Sequence, residues 1–445
     1  MSKQFNLKKH NLYINTKENS EIVSALVANA KGEIFDLQGY GLIGTRGILL
    51  EPISVSDTIN IPQNSELMYL PQRSPILYNI KKGQLEIVVK NPYNLEENIH
   101  PVAIFNSPGY LVTHTCSYIE VNNDTKTLPL FSYGAVGWYN NNFRSTSILV
   151  DNEPRQDLNK MPLKKVVKGI KKVKKLFPKN NLVGHIKKCA LVYGCPAGKN
   201  FFLSRYEAPL PISKSCNAKC LGCISLQNNS DIKSSQNRIT FSPSSMEIAE
   251  LALFHIKRTK NAIVSFGQGC EGDPLLASNR IINAIKIIRD RTSHGTINLN
   301  TNGSLPKKIE TIFDSGLDSV RISINSFREK CYNAYFRPQN YTYYDVLSSI
   351  NIAISKQKHV AINYLSCPGF TDSLEELENL KIFLKSFRIN MIQWRNLNYD
   401  PIKYFKIMNT ISRNSSPIGM NKLINKIIYA FPKINHGYFN PSIKS

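Results

Sequence analysis

The sequence predicts an α/β chain, with a partial (β/α)6 barrel over residues 206–400 preceded by a small β-rich N-terminal domain. Three observations carry this. From residue 206 onward short apolar strands alternate with helical patterns, which implies a parallel sheet under helical cover. Before residue 150, short apolar or alternating runs recur between turn signals, the mark of a barrel or sandwich. Finally, three cysteines in a C-x3-C-x2-C spacing follow the first barrel strand. Active groups of such barrels gather at the C-terminal ends of the strands.

Composition sets the limits. The chain has 445 residues, 42% of them hydrophobic, enough for two or three domains with a sizeable core. No apolar run approaches 18 residues, so no transmembrane helix is expected. The polar N-terminal stretch lacks the apolar centre of a signal peptide. Nine cysteines, an odd and sparse set, suit a reducing compartment with a metal site better than a disulfide framework, so a cytoplasmic location is expected. Fifty-six Lys and Arg against 32 Asp and Glu give a net charge of +24, which favours RNA, an acidic protein or a membrane surface as partner.

In residues 1–150 the runs EIVSALVA, EIFDL, GILLEPI, ELMYL, QLEIVV, PVAIF, GYLVTH and SYIEV read as strands. His114 and Cys116 are a lone pair of ligand types, more often buried than metal-binding. Binding of a substrate or carrier is the default role for this module. Residues 151–205 read as a basic helical connector. Leu163, Val166, Val167, Ile170, Val173 and Phe177 form one apolar stripe, and Lys164, Lys165, Lys168, Lys171, Lys172 and Lys175 cover the remainder. Such a face suits RNA phosphates, an acidic protein or plain solvent. On the next helix His185 and Cys189 are four apart and share a face, with Cys195 just beyond, a candidate second metal or cluster site.

Within 206–400, EAPLPIS is the first strand and carries the cysteine loop. Ser244 to Glu247 is a capping box opening a helix. AIVSF, TINLN, SVRISIN, HVAINYL and MIQWRNL are strands two to six, and a polar loop spans 227–238. Residues 401–445 read as a helical extension with a polar, cysteine-free tail.

The chemistry concentrates in two stretches. Cys216, Cys220 and Cys223 can face one centre and hold three irons of a 4Fe-4S cluster, leaving the fourth open. The glycine-rich turn GQGCEGDPLL follows the second strand. Glycine there lets backbone approach a ligand closely. Cys270 inside it reads as a reactive thiol or a packed one.

This spacing and placement resemble the radical S-adenosylmethionine (radical SAM) superfamily. The resemblance implies a 4Fe-4S cluster on Cys216, Cys220 and Cys223, with S-adenosyl-L-methionine chelated at the open iron. It implies reductive cleavage to methionine and a 5′-deoxyadenosyl radical, and hydrogen abstraction from a substrate. Two departures stand out. Gly222 replaces the usual aromatic residue before the third cysteine, and Asp273 replaces the glutamate of the motif that binds the cofactor amine. Glu271 is the alternative carboxylate, and either suits a cationic amine. With Gly269 and Gly272 of the same turn, Asn302, Ser323, Asn325 and Arg395 at strand ends are the expected cofactor contacts. Asn300, Thr301, Asn363 and Gln393 lie at comparable positions. An electron donor such as flavodoxin or ferredoxin is implied, and the substrate (RNA, protein or small molecule) stays open. The rival readings are a metal-stabilised RNA- or protein-binding module and a ferredoxin-like carrier, which would need four ligands where this loop offers three.

Overall fold

The computed structural model describes residues 3–4, 13–14, 21–122, 124–227 and 231–444. The N-terminal stretch read above for a signal peptide therefore lies almost wholly outside the described residues, as do positions 228–230 of the polar loop. No described helix is long and apolar enough to cross a membrane. The chain forms two compact units that do not follow its linear order. One comprises Met1–Val150, Ser366–Leu380 and Arg395–Ala430; the other comprises Asp151–Leu365, Lys381–Trp394 and Phe431–Ser445.

The first unit is built on antiparallel strands. Ser24–Asn29 pairs with Ile34–Gly41 on one side and with Asn94–Phe105 on the other. Alternation along Ser24–Asn29 sends Ala25 and Val27 into one apolar cluster and Leu26 and Ala28 into another, so this strand feeds a core on both faces. A strand the sequence reading passed over, Arg73–Asn79, carries Pro75, a residue that argues against a sheet interior. Within this unit Asp400, fully buried, caps the helix Pro401–Ile411 and accepts from Tyr118 Oη at 3.1 Å, with Arg73 Nη2 3.6 Å away. His114 Nε2 pairs with Glu51 at 3.3 Å, while Cys116 is buried and donates to the Val102 carbonyl.

The second unit opens with three helices, α1 (Leu163–Leu176), α2 (Asn181–Leu191) and α3 (Pro196–Leu203). Val166, Ile170 and Val173 are buried as the stripe predicts. Leu163 is 62% exposed, because it sits at the first helical position with nothing packed over it, and the stripe effectively begins at Val166. Gly169 lets α1 cross α3 closely, since a Cβ there would lie 2.1 Å from the Phe202 carbonyl oxygen. The α1 lysines all face solvent.

A parallel sheet follows, with its strands in sequential order: β1 (Glu207–Pro209), β2 (Ile263–Phe266), β3 (Thr296–Thr301), β4 (Ser319–Ile324), β5 (His359–Ser366) and β6 (Met391–Asn396). It curls as a half-barrel, and its strands are richer in buried residues than alternation alone would give, as two-sided cover requires. The first strand stops at Pro209, short of the predicted EAPLPIS. Helices α4 (Ser245–Ile256), α5 (Ser278–Arg289), α6 (Pro306–Asp314), α7 (Glu329–Phe336) and α8 (Tyr343–Ser355) connect the strands. The predicted capping box is present, with Ser244 accepting from the Glu247 amide and Glu247 from the Ser244 amide.

The sheet has seven strands, not the six expected. β7 (Asn435–Gly437) pairs parallel with β6, Asn435 opposite Met391. The expected polar tail is thus part of the barrel. Beyond β7, Asn440 is buried and bonds Gln393, Glu207 and Asn300, while the Ile443 and Lys444 amides donate to Thr296 at the start of β3. The last residues of the tail thus lie at the N-terminal end of β3, while Asn440 reaches inward to Gln393 and Asn300.

Candidate metal and cofactor site

After β1 the chain passes through Leu210 and Ile212, both fully buried, into the cysteine loop. Three anchors hold that loop. The Lys219 and Leu221 amides each donate at 3.0 Å to the carbonyls of Phe336 and Tyr335 at the end of α7. The Gln339 amide donates to the Asn217 carbonyl at 2.8 Å. The Gly272 and Asp273 amides donate at 2.7 and 3.0 Å to the Ser213 and Ser215 carbonyls. Cys216, Cys220 and Cys223 are all free thiols of intermediate exposure on this pinned loop.

Gly272 is required by the third anchor. A Cβ on it would stand 1.9 Å from the Ser215 carbonyl oxygen, so the two backbones meet only because there is no side chain. Gly269 is exposed in the same turn, and a Cβ there would meet the Gln236 amide nitrogen at 2.5 Å.

The two candidate carboxylates have different surroundings. Glu271 accepts four backbone amides: Ile212 and Ser213 at 2.8 and 2.9 Å on one oxygen, Gly267 and Gln268 at 2.8 and 2.7 Å on the other. Burial pushes its carboxyl up to about 7 against those four amides, each of which favours the charge. It works as a clamp joining the turn to the start of the cysteine loop. Asp273 caps the short helical turn after it through the Leu275 amide, and accepts from Thr301 Oγ1 at 2.8 Å and the Asn302 amide at 2.7 Å. Burial raises its carboxyl as well. Of the two, Asp273 is the one whose charge acts on Cys216 and Cys220.

Electrostatics test whether the loop fits a metal cluster. Burial, then the Asp273 charge, pushes the Cys216 thiol up to about 11. Burial, then the charges of Cys223 and Cys216, pushes Cys220 up well beyond the ordinary thiol range. Three thiolates beside a carboxylate thus need added positive charge, which a coordinated metal supplies by deprotonating its thiols outright. The donor set is all sulfur, as an iron–sulfur cluster takes.

Several participants escaped the sequence reading. Arg238 Nη2 lies 3.6 Å from Cys223 Sγ, and its Nε donates to Ser225 Oγ at 3.1 Å, which in turn donates to the Glu271 carbonyl. Asn217, inside the loop, donates to Ser304 and accepts from Asn302, both at 2.9 Å. Nothing in spacing marks an arginine fifteen residues past the last cysteine in a polar run; Asn217, between two motif cysteines, had at least its position as a signal.

Of the strand-end residues, Asn302 is thus tied directly to the cysteine loop. Ser323 accepts from Asn363 Nδ2 at 2.9 Å across β4 and β5. Asn325 is fully buried just past β4 and donates to the Cys331 carbonyl of α7. Asn300 bonds Gly267, Asn298 and Asn440, and Gln393 bonds Arg321 and Asn440, so both belong to the polar interior of the barrel. Arg395 lies near the end of β6 and groups with the first compact unit.

With strands, cysteine loop and glycine turn in place, the family model of the radical SAM superfamily matches residues 210–380. Residues 210–380 belong to the radical SAM superfamily. Among curated relatives, this radical SAM domain is similar to the dual-specificity RNA methyltransferase RlmN of Buchnera aphidicola, 31% identical over 29% of this chain and 39% of that protein. It is equally similar to an uncharacterized protein of Methanocaldococcus jannaschii, 31% identical over 29% of this chain and 43% of that one. The chain therefore spans about two fifths of the curated relatives it matches. Among solved structures, a radical SAM methyltransferase from Sphaerobacter thermophilus aligns at 13% identity and a TM-score of 0.35, covering 46% of this chain and 63% of that one.

Proposed function

We propose that this chain is a radical SAM enzyme in which Cys216, Cys220 and Cys223 hold a 4Fe-4S cluster and the turn around Asp273 receives S-adenosyl-L-methionine. The observation that carries the reading is the three-cysteine loop anchored on one side by α7 and on the other by Gly272 and Asp273. A cluster held by these three cysteines would supply the electron for reductive cleavage of the cofactor and so the radical chemistry of hydrogen abstraction.

The chain's own residues position and shield. Asp273 is the carboxylate proposed for the cofactor amine, since its charge acts on the cysteines and it meets three donors where Glu271 is filled by four amides. Gly269 and Gly272 give backbone access, and Asn302, Ser323, Asn325 and Arg395 are proposed for the carboxylate and ribose. With Gly222 in place of an aromatic residue, the adenine contact falls to backbone. A flavodoxin- or ferredoxin-type donor and a cytoplasmic location go with this chemistry. Two features support RNA as the substrate class: the exposed lysines of α1, and a relative that is by name an RNA methyltransferase.

Anaerobic reconstitution with iron and sulfide, followed by a product assay for 5′-deoxyadenosine, tests the proposal. Wild type should bind about four irons and release the nucleoside. Full iron content in the Cys216→Ala, Cys220→Ala, Cys223→Ala variant would refute the cluster assignment. An intact cluster that releases no nucleoside from the cofactor would refute the enzyme reading.

A further inference from the structure

Among the described residues, one group of three metal-ligand side chains brings its ligand atoms within 4.8 Å of one another: His185, Cys189 and Cys270. It is not the cysteine loop. His185 and Cys189 share a face of α2, and Cys270 comes from the turn after β2, 81 positions beyond Cys189. Cys189 and Cys270 are buried, at 3% and 5% exposure. Cys195 follows α2; its amide donates to the Cys189 carbonyl at 2.9 Å, and it lines with Cys189 and Cys270 one small cavity of about 30 Å³. His185 Nε2 is buried and makes no hydrogen bond of normal geometry.

The geometry meets the needs of one ion. Ligand atoms on a tetrahedral zinc with Zn–S bonds of about 2.3 Å stand about 3.8 Å apart, so the three atoms, all within 4.8 Å of one another, would close on an ion by about 1 Å. The cavity lined by the three thiols has room for one ion rather than a cluster, since a water needs roughly 10–15 Å³; His185 is not part of its lining and joins the set through its closeness to Cys189 and Cys270. One imidazole with three thiolates is a closed structural zinc set. The unpartnered imidazole nitrogen also gains a partner, where otherwise a buried polar atom stays unpaired at a cost.

We propose that His185, Cys189 and Cys270, completed by Cys195, form a structural zinc site that clasps α2 to the turn carrying Glu271 and Asp273. The clasp acts where the connector helices meet the radical SAM domain within the second unit. It would fix the turn at Cys270, within three residues of Glu271 and Asp273, which bond back to the cysteine loop. This goes beyond the cluster reading and stands without it.

The test uses the full chain with Cys216, Cys220 and Cys223 changed to Ala, so that the other proposed metal site is absent. After anaerobic purification with reductant, zinc and iron are measured per chain, and cobalt(II) is titrated as a spectroscopic probe. The expected result is about one zinc per chain and a thiolate-to-cobalt charge-transfer band of tetrahedral intensity. Adding His185→Ala or Cys270→Ser should weaken zinc by well over ~10-fold, the loss that even outer-shell changes produce. His185→Ala changes a partly exposed helical residue, so its folded state is checked by circular dichroism alongside. Chelation should also raise deuterium uptake at residues 267–273 in the parent. No zinc in the parent, unchanged zinc in both added variants, or Cys189 and Cys270 recovered as a disulfide would overturn the proposal.

Discussion

Changing Gly272 to Ala puts a methyl group where the chain has placed a carbonyl. The added Cβ would lie 1.9 Å from Ser215 O and 2.4 Å from Ser215 C. Real contacts of this kind stay beyond 3.0 Å, so the turn and the cysteine loop must part by more than about 1 Å. The obstacle is backbone on both sides, so no rotamer relieves it. Parting threatens two hydrogen bonds, Gly272 to Ser213 at 2.7 Å and Asp273 to Ser215 at 3.0 Å. Each is worth about 0.5–1.5 kcal/mol. Overpacking strain adds about 1–3 kcal/mol. The expected loss is therefore about 2–6 kcal/mol in the unfolding transition of the second unit, together with reduced iron uptake on reconstitution. Gly184→Ala is the control, because a Cβ there meets nothing within 4 Å and sits inside α2. It should gain up to about 1 kcal/mol from helix propensity. Denaturant titrations of both variants, read by circular dichroism, with iron assays in parallel, decide the matter. If Gly272→Ala keeps the wild-type midpoint and iron content, the close approach of turn and loop has been misjudged.

Asn440→Ala should cost about 2–4 kcal/mol in a denaturant melt, because Gln393 and Glu207 lose buried partners at 3.0 and 2.8 Å; a wild-type midpoint would show that the tail does not brace the barrel. Arg238→Leu removes the cation 3.6 Å from Cys223 Sγ, and potentiometry of the reconstituted cluster should find a lower reduction potential. Without metal, the folded Cys216 thiol titrates near about 11 against an ordinary 9. The native state then keeps a proton that the unfolded chain releases, so stability should fall as pH rises from about 9 toward 11, and this slope should vanish once the sulfur is coordinated. Changing Lys165, Lys168 and Lys172 to Glu should flatten the salt dependence of binding to total cellular RNA by about 2 in log–log slope, if these lysines contact single-stranded phosphates; an unchanged slope would leave α1 as a solvated face.

Legibility varied along the chain for physical reasons. Strands β2 to β6 announce themselves by closely spaced apolar residues, nearly continuous in Ile263–Phe266 and at every second position in Ser319–Ile324, where Val320, Ile322 and Ile324 are buried. β7 does not, since Asn435, His436 and Gly437 form an edge strand whose pairing is backbone to backbone and makes no demand on side chains. Arg73–Asn79 was hidden by Pro75. Segments 366–380 and 395–430 join the first compact unit through contacts distant in sequence, such as Asp400 with Tyr118, which no local pattern encodes.

The candidate site shows the same division between what spacing records and what burial decides. Spacing picks out the three loop cysteines because they are neighbours in sequence. It treats Glu271 and Asp273 as equivalent, since both sit in one glycine-rich turn. Three-dimensional surroundings separate them. Glu271 points its two oxygens at four amides of the strand ends, and a carboxylate so saturated has no lone pair to offer a ligand. Asp273 meets three donors, two of them from Thr301 and Asn302, and its charge reaches the cysteines. Cys270 illustrates the converse. In sequence it is a single thiol remote from His185 and Cys189, so the helical spacing of that pair pointed to Cys195 alone as company. The turn that carries Cys270 must lie against the cysteine loop through Gly272 and Glu271. Cys270, just before Glu271 in that turn, lies close to Cys189 near the end of α2. One turn thus carries both the His185–Cys189–Cys270 grouping and the contacts to the cysteine loop, and a substitution at Gly272 that displaces it should loosen both.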